Sequence, residues 1–328
     1  MSVKSNFLGA VCMSVLALGG LTLSPAHAQD AWPTKRVVFV IGYAPGGFAD
    51  SVARIIGAKL GDTLNQQIIT QNMEGAGGNI AARHVATTPP DGYTILVTTT
   101  SLAINDTLYK TKGFSTKGLM PVAMPVSAPE SFASNPKSNV KSLGDLLAQS
   151  KAGETVYLGT PGIGSGSHLA AEYFFKVLAK ANVKHIPFPG GAPAKLGLLG
   201  GDVSVLSSTA TAATIPAMLS KEIIGLAVAS AERDPAIPDV PTFAELGYPG
   251  FLASSWTGFF APDGTPEAVL TKLNAQINAA LKDPEVKAKI DAMGLIIANR
   301  TQPETRAYFQ SEIANWAKMV EASGVAVP

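Results

Sequence analysis

The chain reads as an α/β protein of two lobes, each a mostly parallel sheet flanked by helices, joined by two hinge crossings. Three observations predict this. Short β-branched runs alternate with stretches of helical periodicity, the pattern of βαβ units. The alternation begins near residue 36 and begins afresh after residue 152. Glycine-rich turns follow several of the strand-like runs, at the ends where an open parallel sheet presents its binding loops.

Residues 1–28 stand apart from the fold. Lys4, the apolar run from Phe7 to Leu23 and Ala26-His27-Ala28 have the order of a secretory signal with cleavage after Ala28. That run is short and broken by Gly19 and Gly20, and nothing later offers the ~18 consecutive apolar residues of a membrane span. The first lobe is expected over 29–130. Its strands are predicted at Arg36 to Ile41, Gln67 to Gln71 and Thr94 to Thr99, with helices at Asp50 to Leu64 and Gly78 to Thr88.

The second lobe is expected over 131–252. Its helices are predicted at Ser142 to Ala152, Ser167 to Ala181, Ala192 to Leu199 and Ala212 to Lys221, and its strands at Val156 to Gly159, His185 to Phe188, Val203 to Leu206 and Ile223 to Ala229. A strand at Ser255 to Phe260 and amphipathic helices near Pro266 to Lys282 and Pro303 to Ala322 then return to the first lobe over 253–328, because one sheet of all these strands would be unusually wide. The crossings fall near Ser127 to Asn135 and Phe251 to Trp256, with the ligand expected in the cleft between lobes.

Composition excludes several functions. Removing 28 residues from 328 leaves 300, without Cys12, the chain's single cysteine. A disulfide framework, a thiolate metal site and a cysteine nucleophile are thereby excluded, which suits an oxidising compartment. Without Lys4 the 25 basic residues become 24, against 24 acidic ones, and with no basic cluster nucleic acid is not an expected partner.

The chemistry lies in the turns. In Ile41-Gly42-Tyr43-Ala44-Pro45-Gly46-Gly47-Phe48-Ala49-Asp50 a strand leads into a helix through two glycines, so backbone N–H groups can approach a ligand beside the helix N-terminus. Glu74 to Asn79, Thr160 to Ser167 and Pro189 to Ala192 repeat the design. None reads GxxxxGK[ST], or GxGxxG with an acidic residue ~20 positions on, so nucleotide binding lacks its lysine and ribose contacts. Ser165, Ser167 and His168 raise a hydrolase reading, yet a nucleophile elbow needs a glycine where Ile163 stands. Ser165 or Ser167 reads as a helix N-cap, with His168 and Glu172 as a surface i,i+4 pair. His84 and His185 are isolated in sequence and give a metal centre no support. Asp50 reads as a cap, or as an acceptor for a ligand ammonium or bridging water, and Trp256 and Trp316 read as packing residues.

In combination and order these motifs resemble the Bug family, the extracytoplasmic solute receptors of tripartite tricarboxylate transporters. The resemblance rests on Tyr43 to Asp50, Gln71 to Ile80 (QNMEGAGGNI), Pro90 to Thr94, Ala103-Ile104-Asn105 with Leu108-Tyr109, Gly164-Ser165 with His168-Leu169-Ala170, Leu198 to Val203, Pro238 to Thr242, and Trp256 with Ala261-Pro262. It implies a periplasmic, Venus-flytrap binding protein without catalytic activity, cofactor or metal. Such a receptor closes as a monomer on a small carboxylate, aromatic or dicarboxylic in some cases, and delivers it to membrane-embedded transporter subunits. The ligand residues it implies are Tyr43, Gly46, Gly47, Phe48, Ala49 and Asp50 in the first loop, Gly77, Gly78 and Asn79 in the second, Ser165 and His168 in the third, and Ser207 and Ser208 after the strand begun at Val203.

The departures from that pattern are Met73 and Glu74 where an arginine and proline are usual, Ser204 for an aspartate, Phe188-Pro189 for Tyr-Lys, and an unusually polar Pro129 to Ser134. If Glu74 faces the cleft, it disfavours a second ligand carboxylate; if it faces solvent, nothing follows. Two other readings use the same chain: a secreted α/β hydrolase built on Ser165, and a ligand-sensing partner of a membrane sensor kinase.

Overall fold

The computed structural model describes residues 32–211 and 213–326. The expected signal and its cleavage site, and Ala212 at the expected start of a helix, lie outside the described residues. β1 (Val37–Ile41), α1 (Phe48–Leu64), β2 (Ile68–Asn72), α2 (Asn79–Ala86) and β3 (Thr94–Thr99) follow the predicted alternation, with β1 parallel to both β2 and β3. Val37, Phe39, Val40 and Ile41 are buried, the near-continuous apolar run of a strand covered on both faces.

The next two elements were not visible in the pattern. α3 (Ser101–Leu108) packs on the C-terminal helix, and β4 (Leu119–Ser134) is a 16-residue strand carrying Pro121, Pro125 and Pro129. Proline lacks the N–H of a sheet ladder and normally marks a strand edge or bulge. Here the register against a later strand shifts between Pro121 and Ala123 and again between Ala123 and Val126, which absorbs the missing donors. The proline carbonyls remain engaged: Gln302 Nε2 donates to Pro121 O and the Ala298 N–H to Pro125 O.

Then follow α4 (Leu143–Lys151), opened by a capping box between Ser142 and Asp145, β5 (Val156–Thr160) and α5 (Gly166–Tyr173). The chain leaves α5 through a wider π turn at Phe174–Leu178, so the helix is shorter than predicted. β6 (Val183–Pro187), α6 (Gly191–Gly200), β7 (Val205–Thr209), α7 (Ile215–Leu219) and β8 (Ile224–Val228) continue the alternation. β9 (Ser254–Pro262), α8 (Glu267–Ala280), α9 (Pro284–Ala292), β10 (Ile296–Ile297) and α10 (Gln302–Ser323) complete the chain, α9 and β10 having gone unpredicted.

The sheet runs β2-β1-β3-β9-β4-β7-β5-β6, with β8 and β10 also on β4. It is continuous because β4 serves both halves: Leu119 to Pro129 pair with β9, and Glu130 to Ser134 pair with β7 and β8. The expectation of mostly parallel sheets is corrected at this centre, where β9 runs antiparallel to β3 and β4, and β4 antiparallel to β7, β8 and β10. Parallel pairing survives outside it, between β1, β2 and β3 and between β5, β6 and β7. A long strand entered from one half and left into the other has no βαβ crossover to impose parallel direction.

Aromatic side chains close the core at β4 and β9. Phe132 stacks on Phe175 at 5.2 Å and meets Phe174 and Phe243 edge-on. Trp256 and Trp316 are packing residues, as expected: both indoles donate to Glu312 Oε2, at 2.8 and 3.1 Å, and Phe309 meets Trp256 edge-on.

Candidate ligand-binding site

The first loop leaves β1 and enters α1 through Gly47, whose extended backbone makes it the N-cap. Gly46 has φ +78°, and a Cβ built there would meet nothing within 4 Å, so the left-handed turn opens onto free space. Asp50 holds the loop together. Its Oδ2 accepts from the Gly46 N–H at 2.9 Å and from Arg54 Nε at 2.8 Å, and its Oδ1 accepts from Asn72 Nδ2 at 2.9 Å. The same Asn72 amide donates to Tyr43 O, tying the end of β2 to the loop. Burial alone would raise the Asp50 pKa; the hydrogen bonds from Arg54, Gly46 and Asn72 and the Arg54 charge outweigh it and lower it to about 2. Asp50 is thus neither a cap of α1 nor an open acceptor but an internal clamp, while Phe48 is half-buried and Ala49 buried beside it.

The second loop is built against the first. Gly78 has φ +90°, and a Cβ there would fall 3.2 Å from Tyr43 Oη and 3.4 Å from Thr98 Oγ1, so only glycine fits beneath the tyrosine. Tyr43 Oη in turn shares a 2.7 Å hydrogen bond with Thr99 Oγ1 at the end of β3. Asn105 on α3 donates through Nδ2 to Gly77 O and to Asn79 Oδ1, both at 3.1 Å. That arrangement orients both amides, because Gly77 O demands a donor. It leaves two buried atoms without partners, Asn79 Nδ2 and Asn105 Oδ1. Glu74 is exposed.

The third loop, between β5 and α5, reaches over α3. A Cβ at Gly164 would lie 3.3 Å from Leu108 Cδ2 and 3.4 Å from Asn105 Oδ1, which sets the third loop against α3, the helix whose Asn105 holds the second loop. Ser165 is the N-cap of α5: its Oγ accepts from the His168 N–H at 3.1 Å and donates to Gly162 O at 2.8 Å. His168 Nδ1 accepts from the Gly164 N–H at 3.2 Å. The serine proton therefore goes to a carbonyl, and the imidazole nitrogen faces a backbone amide, so the nucleophile–base contact of a hydrolase is not formed.

Two histidine expectations are corrected. His168 and Glu172 are buried, at 3 % exposure each, because the opening turns of α5 pack inward. His185 is isolated only in sequence, since pairing of β5 with β6 carries its ring onto His168 with centroids 4.0 Å apart and planes inclined by 23°. Burial lowers the His168 pKa to about 3, aided by the charges of His185 and Lys176, and burial and Lys176 lower that of His185 to about 4. His168, Glu172 and His185 bring potential metal-ligating atoms within 4.8 Å of one another. The donor set does not suit a metal. The Gly164 N–H on Nδ1 places the neutral ring's proton on Nε2, Thr160 Oγ1 engages His185 Nε2 at 2.6 Å, and Lys176 Nζ holds Glu172 Oε2 at 2.5 Å.

Ser207 and Ser208 also need correction. The strand expected from Val203 begins at Val205, so both lie within β7 rather than after it, on opposite faces. Ser207 Oγ donates to Ser167 O at 2.9 Å, whereas the buried Ser208 Oγ has no partner. Asn105 escaped the sequence-based list of site residues, being visible only within the Ala103-Ile104-Asn105 motif.

The model of the tripartite tricarboxylate transporter family receptor matches residues 52–325. The chain belongs to that family. The receptor is 35% identical over 324 residues to BugT of Bordetella pertussis, covering 96% of this chain and 97% of BugT. Among solved structures it resembles the periplasmic binding protein BugD, with TM-score 0.80, 30% identity and coverage of 90% and 99% of the two chains. It also resembles R. palustris Rpa4515 with adipate, with TM-score 0.82, 31% identity and the same coverage. The receptor is thus a solute-binding protein of the Bug group, and no helix among its described residues is long and apolar enough to cross a membrane.

Proposed function

We propose that this receptor captures a small carboxylate between its first two glycine loops and the third loop, and passes it to the membrane subunits of a tripartite transporter. The observation that carries this reading is the frame around the first two loops. Asp50, Asn72, Tyr43 and the Asn105 Nδ2 hold the loops in shape, while Gly46 opens onto free space and the buried Asn79 Nδ2 and Asn105 Oδ1 stay unpaired. Backbone donors at the starts of α1 and α2 then suit an anion without a cationic side chain. Three charge-assisted hydrogen bonds at roughly 2 kcal/mol each and ~100 Å² of buried apolar ligand at roughly 25 cal/mol per Å² approach the 8.2 kcal/mol of a micromolar complex, provided closure costs little.

In this reading the lobes are 29–130 with 253–328, and 131–252. They rotate where β4 changes partners at Pro129 and Glu130 and where the chain returns near Phe251 to Ser254. The protein works in the periplasm, as a monomer, without turnover. Adipate in Rpa4515 supports carboxylate binding in a relative of the same fold. A thermal-shift screen of ligand-stripped protein against carboxylates, their amides and amines tests it. A ligand at 100 times its dissociation constant adds about 2.7 kcal/mol, or roughly 5 °C for a chain of this size. Shifts with acids but not amides support the reading, and shifts with amides or amines alone overturn it. Co-purification of the membrane subunits with tagged receptor tests delivery.

A further inference from the structure

Glu130 stands where β4 leaves β9 and takes up β7, with 1% of its surface exposed. Its Oε1 accepts from Ser255 Oγ of β9 and its Oε2 from Ser167 Oγ of α5, each at 2.6 Å, and Thr209 Oγ1 at the end of β7 lies 3.4 Å from Oε1. All three donors are neutral. A Cβ at Gly166, the first residue of α5, would fall 2.8 Å from both Glu130 Oε1 and Ser255 Oγ, so the carboxylate is packed into the first turn of that helix.

This turn is where the second half of the protein would meet an anionic ligand group. The partial positive charge of a helix start favours an anion, and the loop feeding α5 is the one that reaches Asn105 and Leu108 at Gly164. An internal carboxylate already occupies the place. A second carboxylate beside it would meet a like charge in a medium that screens poorly, and one of the two would have to take a proton.

We propose that Glu130 is a charge filter: it excludes a second carboxylate on the α5 side, so that the ligand carries one carboxylate, held by the first two loops, and a neutral or cationic group at its other end. This rests on the carboxylate-binding reading above and narrows it. It sets the receptor apart from its relative Rpa4515, whose adipate is a dicarboxylate. Exposed Glu74 in the second loop is not needed for the selectivity.

Burial, opposed by the three hydroxyls, raises the Glu130 pKa to about 6. The elements packed on it bring Ser255 from β9, Thr209 from β7 and Ser167 from α5; of the titratable groups, α5 carries His168 and Glu172, and α10, which packs on α5, carries Glu312. His168 receives the Gly164 N–H, Glu172 pairs with Lys176, and Glu312 is held by two indoles. A ligand whose second charge does not titrate, such as an ω-sulfonated acid, therefore binds with uptake of a proton at Glu130 and gains affinity as pH falls towards about 6, while a monoanion does not; a dicarboxylate adds to this the uptake of its own second proton.

The test is calorimetric titration of ligand-stripped receptor with mono- and dicarboxylates of three to eight carbons, the half-amides of the diacids, the matching ω-amino acids and the matching ω-sulfonated acids, whose second charge does not titrate, at pH 7.5 and 5.5. In the unaltered protein the singly charged acids and half-amides bind about tenfold or more tighter than the diacids at the higher pH, the scale of a like-charge penalty inside a protein. Glu130→Gln, which keeps the shape and accepts from one hydroxyl, closes that gap and removes the gain of the ω-sulfonated acids at low pH. Diacids binding as tightly as monoacids in the unaltered protein overturn the inference. So does a gap that persists in folded Glu130→Gln, or one closed by Glu74→Gln instead. The pH comparison with the ω-sulfonated acids, whose second charge does not titrate, needs no variant and decides the matter if Glu130→Gln misfolds: no gain at pH 5.5 overturns the inference. Binding of no carboxylate at either pH overturns the underlying reading, a result distinct from binding without charge selectivity.

Discussion

Replacing Asp50 by asparagine separates a structural clamp from a ligand contact. The carboxylate side chain is 3% exposed, and its pKa falls from 3.8 to about 2. At 1.36 kcal/mol per unit, that difference corresponds to about 2 kcal/mol of stability. The folded value lies below the unfolded one, so this contribution is fully present above pH 4 or so and is lost as pH falls towards 2. In Asp50→Asn the new amide turns its NH₂ towards either the Gly46 N–H or the Asn72 amide, setting donor against donor. Arg54, half-exposed, rehydrates and adds little. Thermal melts at pH 7 should show a loss of about 4 °C, taking ~0.6 kcal/mol per degree for a chain of this length. The loss should be constant from pH 8 to 5 and shrink below pH 4. Ligand affinity should fall with it, because Gly46 loses its anchor. A variant that melts with the unaltered protein yet loses its ligand would refute the clamp and return Asp50 to the role of a direct contact.

Other outcomes follow from the same geometry. Gly78→Ala places a methyl 3.2 Å from Tyr43 Oη at φ +90°, and should destabilise by about 1 to 3 kcal/mol and weaken binding, read by melting and titration. Ser165→Ala removes the N-cap of α5 and should lower stability by about 1 kcal/mol, without altering hydrolysis of chromogenic esters relative to buffer. Nitrogen-edge NMR of His168 and His185 should show neutral rings from pH 8 down to 5. Because both pKa values are depressed from 6.5, stability should begin to fall as pH drops below 6.5. Zinc at micromolar concentration should leave the melting temperature unchanged, and a zinc-dependent rise would overturn the assignment of the proton to His168 Nε2.

The alternation of strands and helices was legible because it is local. From β1 to β3 each predicted boundary lies within two residues of the observed one, and the capping box at Ser142 marks the start of α4 as its residues suggest. β4 was not legible, because its prolines argue against a strand unless bulges accommodate them, and those bulges are defined by β9, more than 120 residues further along the chain. Of the candidate site, the glycine loops and the N-cap at Ser165 could be read from residue order. The engagement of Asp50 by Asn72 could not, nor the stacking of His185 on His168.

By itself the sequence determined where the chain turns, which turns are built of small residues, and that a disulfide within the chain, with its single cysteine, and a large charge imbalance are excluded. Those properties depend on composition and on neighbours a few positions apart. Only the tertiary structure decided that the sheet is joined through β4, that Asp50 and Asn105 hold loops, and that Glu130 lies against the first turn of α5. Each depends on partners distant in sequence. Burial then sets the outcome: in water Glu130 and His168 would be an ordinary acid and base, and inside the fold the few groups that can reach them decide their charge.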